Sequence, residues 1–194
     1  MVLDDEMLEI LKNSKNFCPH FHLSLQSACN ETLKRMNRHY TIEQFKEIVA
    51  KIKSKFKNAS ISTDLIVGFK GETDEEFANT LKNLKEIEFS FMHIFPYSER
   101  SGTVAEKLGG AVDKCVTKQR EKQLQVLNSE FKQKFYTKNI NTEHSMLIEE
   151  IDGEVSLGYT ENYIYTYLSG NYKVGDVVTV KLTEIYKNGM KGEI

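Results

Sequence analysis

The chain has 194 residues, 40% of them hydrophobic, which is enough for one large core or two small ones, and its three widely spaced cysteines, Cys18, Cys29 and Cys115, support neither a disulfide framework nor a zinc knuckle. No run of about 18 apolar residues is present to span a bilayer, and the acidic amphipathic start MVLDDEMLEILKNSK is not ordered like a signal peptide, so a cytoplasmic protein with no membrane partner is expected. The formal net charge of −2 conceals an asymmetry: residues 1–138 carry 22 Lys and Arg against 19 Asp and Glu, whereas residues 139–194 carry 4 against 9.

In chain order, Asp5 to Asn13 reads as a helix with Met7, Leu8 and Leu11 on one face, and residues 20–26 read as a strand. On that strand Phe21, Leu23 and Leu25 point one way while His22, Ser24 and Gln26 point the other. A parallel strand with one polar side, running into Ser27 and a polar loop, reads as a strand that ends at a ligand. Thr41 opens a helix with Gln44 three residues on, a capping box, and Phe45, Ile48, Val49, Ile52 and Phe56 form its stripe. Ser60 to Val67 is the next strand. Thr73 with Glu76 repeats the capping box ahead of Phe77, Leu81, Leu84 and Ile87, and Phe89 to Phe95 is a third strand. After a loop to Asp113 comes a long basic helix over 114–138, whose Leu124, Leu127, Phe131 and Phe135 recur at helical spacing. This alternation demands a parallel sheet with right-handed crossovers.

From Asn139 the pattern changes to short segments rich in Ile, Val, Tyr and Thr, at 145–151, 154–159, 163–168, 176–185 and 190–194, separated by glycine turns. They predict a small antiparallel β-barrel of OB-like size. The expected organisation is an α/β unit over 1–138 and a β-barrel over 139–194.

Three strands in succession end in polar or glycine-rich loops, at LSLQSACNETLKRMNRHYT, TDLIVGFKGETDEEF and HIFPYSERSGT. In a parallel sheet those carboxyl ends share one rim, where ligands bind. Asp64, an acid inside a buried strand, needs a partner or a function.

These three motifs, in this order and spacing, resemble the later part of the radical S-adenosylmethionine (SAM) core of the methylthiotransferases. LSLQS, TLKRMNR and MHIFPYS are most similar to the branch acting on threonylcarbamoyladenosine in tRNA, and GYTENYIYTYL with VGDVVTVKLTEIYKNGMKGEI resembles the TRAM domain with which such enzymes hold RNA. The resemblance implies an incomplete parallel (βα) radical-SAM-type barrel followed by a TRAM barrel. It also implies S-adenosylmethionine as cofactor, tRNA as partner, and C2 of a modified adenosine as the methylthiolated atom.

Carried over to this chain, the resemblance places Gln26 and Ser27 near the ribose and amino-acid part of the cofactor, with Arg38 and Arg100 against its carboxylate. It assigns Asp64, Gly68 and Glu72 to the nucleoside pocket, and Phe95, Pro96 and Tyr97 to the adenine. The expected RNA-facing set is Lys118, Arg120 and Lys122 on the basic helix with Tyr163 and Tyr165 on the barrel. Family enzymes also hold [4Fe–4S] clusters through a CxxxCxxC loop, and no such spacing occurs here. The chain therefore reads as the carboxyl-terminal half of a longer enzyme, inactive alone and partnered by the missing amino-terminal portion. Two rival readings are a non-catalytic RNA-binding protein on a degenerate barrel and a fragment of the branch that thiolates a ribosomal protein.

Overall fold

The computed structural model describes residues 3–194. Helix α1, Asp5–Asn13, is capped by the Asp4 carboxylate, which accepts from the Met7 N–H at 2.8 Å. Leu8 is its buried residue, while Met7, expected on the same face, is exposed. Strand β1, His20–His22, and helix α2, Asn30–Arg35, precede α3, Ile42–Lys55. Strand β2, Ser60–Val67, helix α4, Asp74–Ile87, and strand β3, Phe91–Pro96, complete the alternation. Both predicted capping boxes are formed, Thr41 with Gln44 and Thr73 with Glu76.

The three strands make one parallel sheet in the order β1-β2-β3. The expected strand over 20–26 pairs continuously only to His22, and contact resumes at a Gln26–Leu65 bridge. The interruption has a local cause: the Thr63 hydroxyl inserts between the strands, accepting from the Leu25 N–H at 3.0 Å and donating to the Leu23 carbonyl. Side-chain alternation survives it. Phe21, Leu23 and Leu25 are buried under α1, α3 and α4, and His22 and Ser24 are exposed on the other face.

Helix α5, Lys114–Lys138, follows a 3-10 turn at Val104–Lys107. Its stripe serves two cores. Leu124, Leu127 and Phe131 pack under the parallel sheet, whereas Phe135 and Tyr136 pack against Met146, Ile148, Ile164, Leu168, Val180, Leu182 and Met190. That second core fills a closed barrel of β4, Glu143–Asp152, β5, Val155–Thr160, β6, Tyr165–Ser169, β7, Val177–Tyr186, and β8, Gly189–Glu193. The barrel is mixed rather than antiparallel throughout, because β8 turns back from β7 and closes against β6 in parallel.

The barrel meets the sheet directly. Asn162 Nδ2 donates to the Asn58 carbonyl at 3.0 Å and to Asn139 Oδ1 at 3.1 Å, and Lys138 Nζ donates to the Lys57 carbonyl at 3.1 Å. Among the described residues no helix is long and apolar enough to cross a membrane.

Candidate functional site

The open face of the sheet is polar along its length. His20 Nδ1 meets Ser60 Oγ, and His22 Nδ1 lies 3.0 Å from Ser62 Oγ. On its other side, His22 Nε2 lies 3.2 Å from Asp64 Oδ2. Register places Asp64 beside His93 on β3, so His22, Asp64 and His93 face one another across three adjacent strands. The acid inside the strand thus has a partner, supplied by the polar face of β1.

At the carboxyl ends of the strands this face opens into a cleft of about 660 Å³, lined by Gln26, Arg38, Asp64, Phe95, Tyr97 and Arg100 together with Pro96 and Thr103. Seven of the ten residues expected at a cofactor meet there. Gln26 reaches it from a left-handed backbone, φ 66°, that still pairs on both sides: its N–H donates to the Asp64 carbonyl and its carbonyl accepts from the Ile66 N–H, each at 2.9 Å. A non-glycine residue held in that conformation is a recurrent feature of ligand sites. Neither Arg38 nor Arg100 has a side-chain hydrogen bond or ion pair among the described residues, and both are exposed. Phe95 is 50% exposed and lines the cleft, leaving part of an aromatic ring open. The Tyr97 hydroxyl is buried without a partner among the described residues, and its ring packs edge-on against Phe69.

The other three expected residues lie outside the lining of this cleft. Ser27 is buried behind the rim, its hydroxyl accepting from the Cys29 N–H at 3.3 Å. Gly68, at φ 75°, has Thr117 of α5 so close that a Cβ would lie 2.5 Å from its hydroxyl; the glycine permits helix approach. Glu72 is buried against Arg120, 2.6 Å from its guanidinium, and accepts from the Gly68 N–H at 3.2 Å. Burial pushes the Glu72 carboxyl above the usual range, and the Arg120 charge opposes that rise.

Arg120 overturns its expected RNA role. It is 4% exposed, paired with Glu72 and, at 2.7 Å, with Asp74, and it covers the Phe77 ring. Lys118 and Lys122, each two residues from Arg120 and so about half a turn around the helix, remain exposed. Tyr163 is also engaged: it stacks between Tyr159, at 4.5 Å, and His20, at 4.3 Å. Tyr165 instead joins a surface row with Tyr167 and Tyr186, each contact edge-on at 5.3 and 5.1 Å. Lys187 and Lys191, unnoticed in sequence, sit 5.2 and 4.7 Å from the Tyr186 ring centre. The signal available for them was the KNGMK turn beside a tyrosine.

Among the described residues the three cysteines form no common group. Cys18 and Cys115 are exposed, while Cys29 is buried, donates to Glu31 at 2.9 Å, and has its thiol pushed up by burial.

The family model described as the radical SAM superfamily matches residues 1–84. The chain is 41% identical over 179 residues to the threonylcarbamoyladenosine tRNA methylthiotransferase MtaB of Aquifex aeolicus, covering 92% of this chain and 42% of that protein. It is 36% identical to the protein of that name from Bacillus subtilis, covering 93% and 41%. To the tRNA-2-methylthio-N(6)-dimethylallyladenosine synthase of Bacillus cytotoxicus it is 38% identical, covering 98% and 38%. The chain thus spans about two-fifths of the length of these curated relatives.

Proposed function

We propose, for a chain homologous to the radical SAM tRNA methylthiotransferases over nearly its whole length, that it forms the cofactor-orienting and RNA-holding portion of such an enzyme. The observation that carries this reading is the cleft at the strand ends, which gathers two guanidiniums without side-chain partners among the described residues and an open aromatic face around one space.

The residues fit S-adenosylmethionine. Arg38 and Arg100 offer planar forks to its carboxylate, Phe95 offers a stacking face to adenine, and Asp64 and Gln26 offer polar atoms to the ribose. Bound there, the cofactor supplies the radical and methyl chemistry of the family; the chain holds and orients it. The small barrel, read as TRAM-like, presents Tyr165, Tyr167 and Tyr186 with Lys187 and Lys191 as an RNA-stacking surface, and Lys118 and Lys122 extend the positive charge along α5.

A [4Fe–4S] cluster does not fit the chain. Such a cluster needs three thiolates gathered at one iron–sulfur cube; Cys29 is buried on Glu31, and the other two cysteines stand apart from it in no common group among the described residues. The chain alone is therefore inactive in this reading, and its partner is the cluster-bearing portion of the enzyme. Threonylcarbamoyladenosine is the proposed substrate nucleoside.

Two measurements test this. Equilibrium dialysis with labelled S-adenosylmethionine is expected to show one bound equivalent, and no binding would remove the cofactor reading. After anaerobic incubation with iron, sulfide, reductant and tRNA, nucleoside mass spectrometry is expected to show no methylthiolated adenosine; its formation would overturn the inactivity of the isolated chain.

A further inference from the structure

We propose that His22, Asp64 and His93 form a binding site for a single borderline divalent metal ion of the Zn²⁺ or Co²⁺ type, at the centre of the sheet's open face. This site does not rest on the cofactor reading of the neighbouring cleft, which shares only Asp64 with it.

The donor set is two imidazoles and one carboxylate on three adjacent strands, with one ligand atom from each and all three atoms within 4.8 Å of one another. Ions of this class take His nitrogen and carboxylate oxygen at about 2.0–2.2 Å, which sets neighbouring tetrahedral ligands about 3.4 Å apart. His22 Nε2 and Asp64 Oδ2, at 3.2 Å, already have that spacing. His93 is exposed, and its ligand atom lies within 4.8 Å of the other two. Among the described residues Asp64 is the only carboxylate lining the cleft, and it sits on the central strand with an imidazole on either side.

The second shell suits a metal. A ligating imidazole needs its other nitrogen held by a hydrogen bond, and the Ser62 hydroxyl is 3.0 Å from His22 Nδ1. A serine hydroxyl both donates and accepts. It serves the tautomer in which Nε2–H donates to Asp64, and equally the one in which Nε2 gives its lone pair to an ion. Three protein ligands on an open face leave at least one position for water or another small ligand, the arrangement of a reactive rather than a closed structural site.

The experiment uses the purified, tag-free chain with Cys18→Ser and Cys115→Ser, which removes the exposed thiols as competing ligands. Co²⁺ titration is expected to give one equivalent with a visible d–d absorption band, displaced by Zn²⁺. His22→Ala and His93→Ala, each checked for folding by circular dichroism, are expected to weaken binding more than about 100-fold, and Ser62→Ala about 10-fold, as for a second-shell partner. Asp64→Asn, which preserves side-chain shape, is the control for any alanine variant that unfolds, and is expected to weaken binding in the same way. A band of unchanged strength in folded His22→Ala, His93→Ala or Asp64→Asn protein, or no band at millimolar Co²⁺, would overturn the site.

Discussion

Tyr163 of the small barrel lies face to face with His20 of β1, ring centres 4.3 Å apart and planes 12° apart. Tyr163 holds this position from a left-handed backbone, φ 66°, and the stack continues through His20 to Phe91 at 5.8 Å. It joins the barrel to the amino-terminal end of the polar sheet face. Replacing Tyr163 by Ala is expected to cost about 1 kcal/mol of stability, the scale of an aromatic pair, and to accelerate hydrogen exchange in β1 and the 160–164 turn together. Exchange faster in the turn alone would mean that the stack does not couple the two.

The same junction predicts a pH dependence. Burial first, then the His22 and His93 imidazoles, push His20 down from the ordinary 6.5 to about 4. Above pH 6.5 folded and unfolded chains both hold this ring neutral, and its contribution is fully present. As pH falls from 6.5 toward 4, the unfolded chain takes a proton that the folded one refuses, so stability is lost across that window. His20→Phe keeps a stacking ring and removes the titration; its melting temperature is expected to fall less between pH 7 and 4.5 than that of the parent chain, and equal slopes would refute the assignment.

Arg38 and Arg100 are the free guanidiniums of the cleft. Lysine at either position keeps the charge but loses the fork, and is expected to weaken S-adenosylmethionine binding about tenfold, close to one charged hydrogen bond. Calorimetric titration reads this, and the melting temperature should stay within about 1 °C because neither side chain braces the fold.

Arg120 behaves oppositely. Truncating one member of a buried ion pair strands the other, at about 3–5 kcal/mol, so Arg120→Met is expected to lower the denaturation midpoint strongly. Replacing Lys118 and Lys122 by Ala should leave that midpoint unchanged. If the exposed pair contacts phosphate, the double variant reduces the salt slope of tRNA binding by about 2. Loss of stability in the lysine variant would contradict their exposure.

Much of this arrangement was legible along the chain. The alternation of Phe21, Leu23 and Leu25 with His22 and Ser24 predicted the polar face, and both capping boxes formed where Thr41 and Thr73 announced them. What escaped depends on partners far away in sequence. Nothing local says that Thr63 interrupts the β1 ladder, that Arg120 folds inward onto Glu72, or that β8 closes on β6 in parallel. Helix α2 was missed because it has six residues and no side-chain cap at Cys29; Arg35, bound bidentately to Glu76 of α4, holds it instead.

Helix α5 gives the change in composition near Asn139 a mechanical meaning. One unbroken rod of 25 residues, about 37 Å long, is glued into the sheet core by Leu124, Leu127 and Phe131 and into the barrel core by Phe135 and Tyr136. The border between the two compositions is consequently not a hinge. The rod carries Arg120 and the Thr117 contact with the Gly68 turn near one end and Phe135 and Tyr136 near the other, so both packing cores are fixed to one piece of backbone.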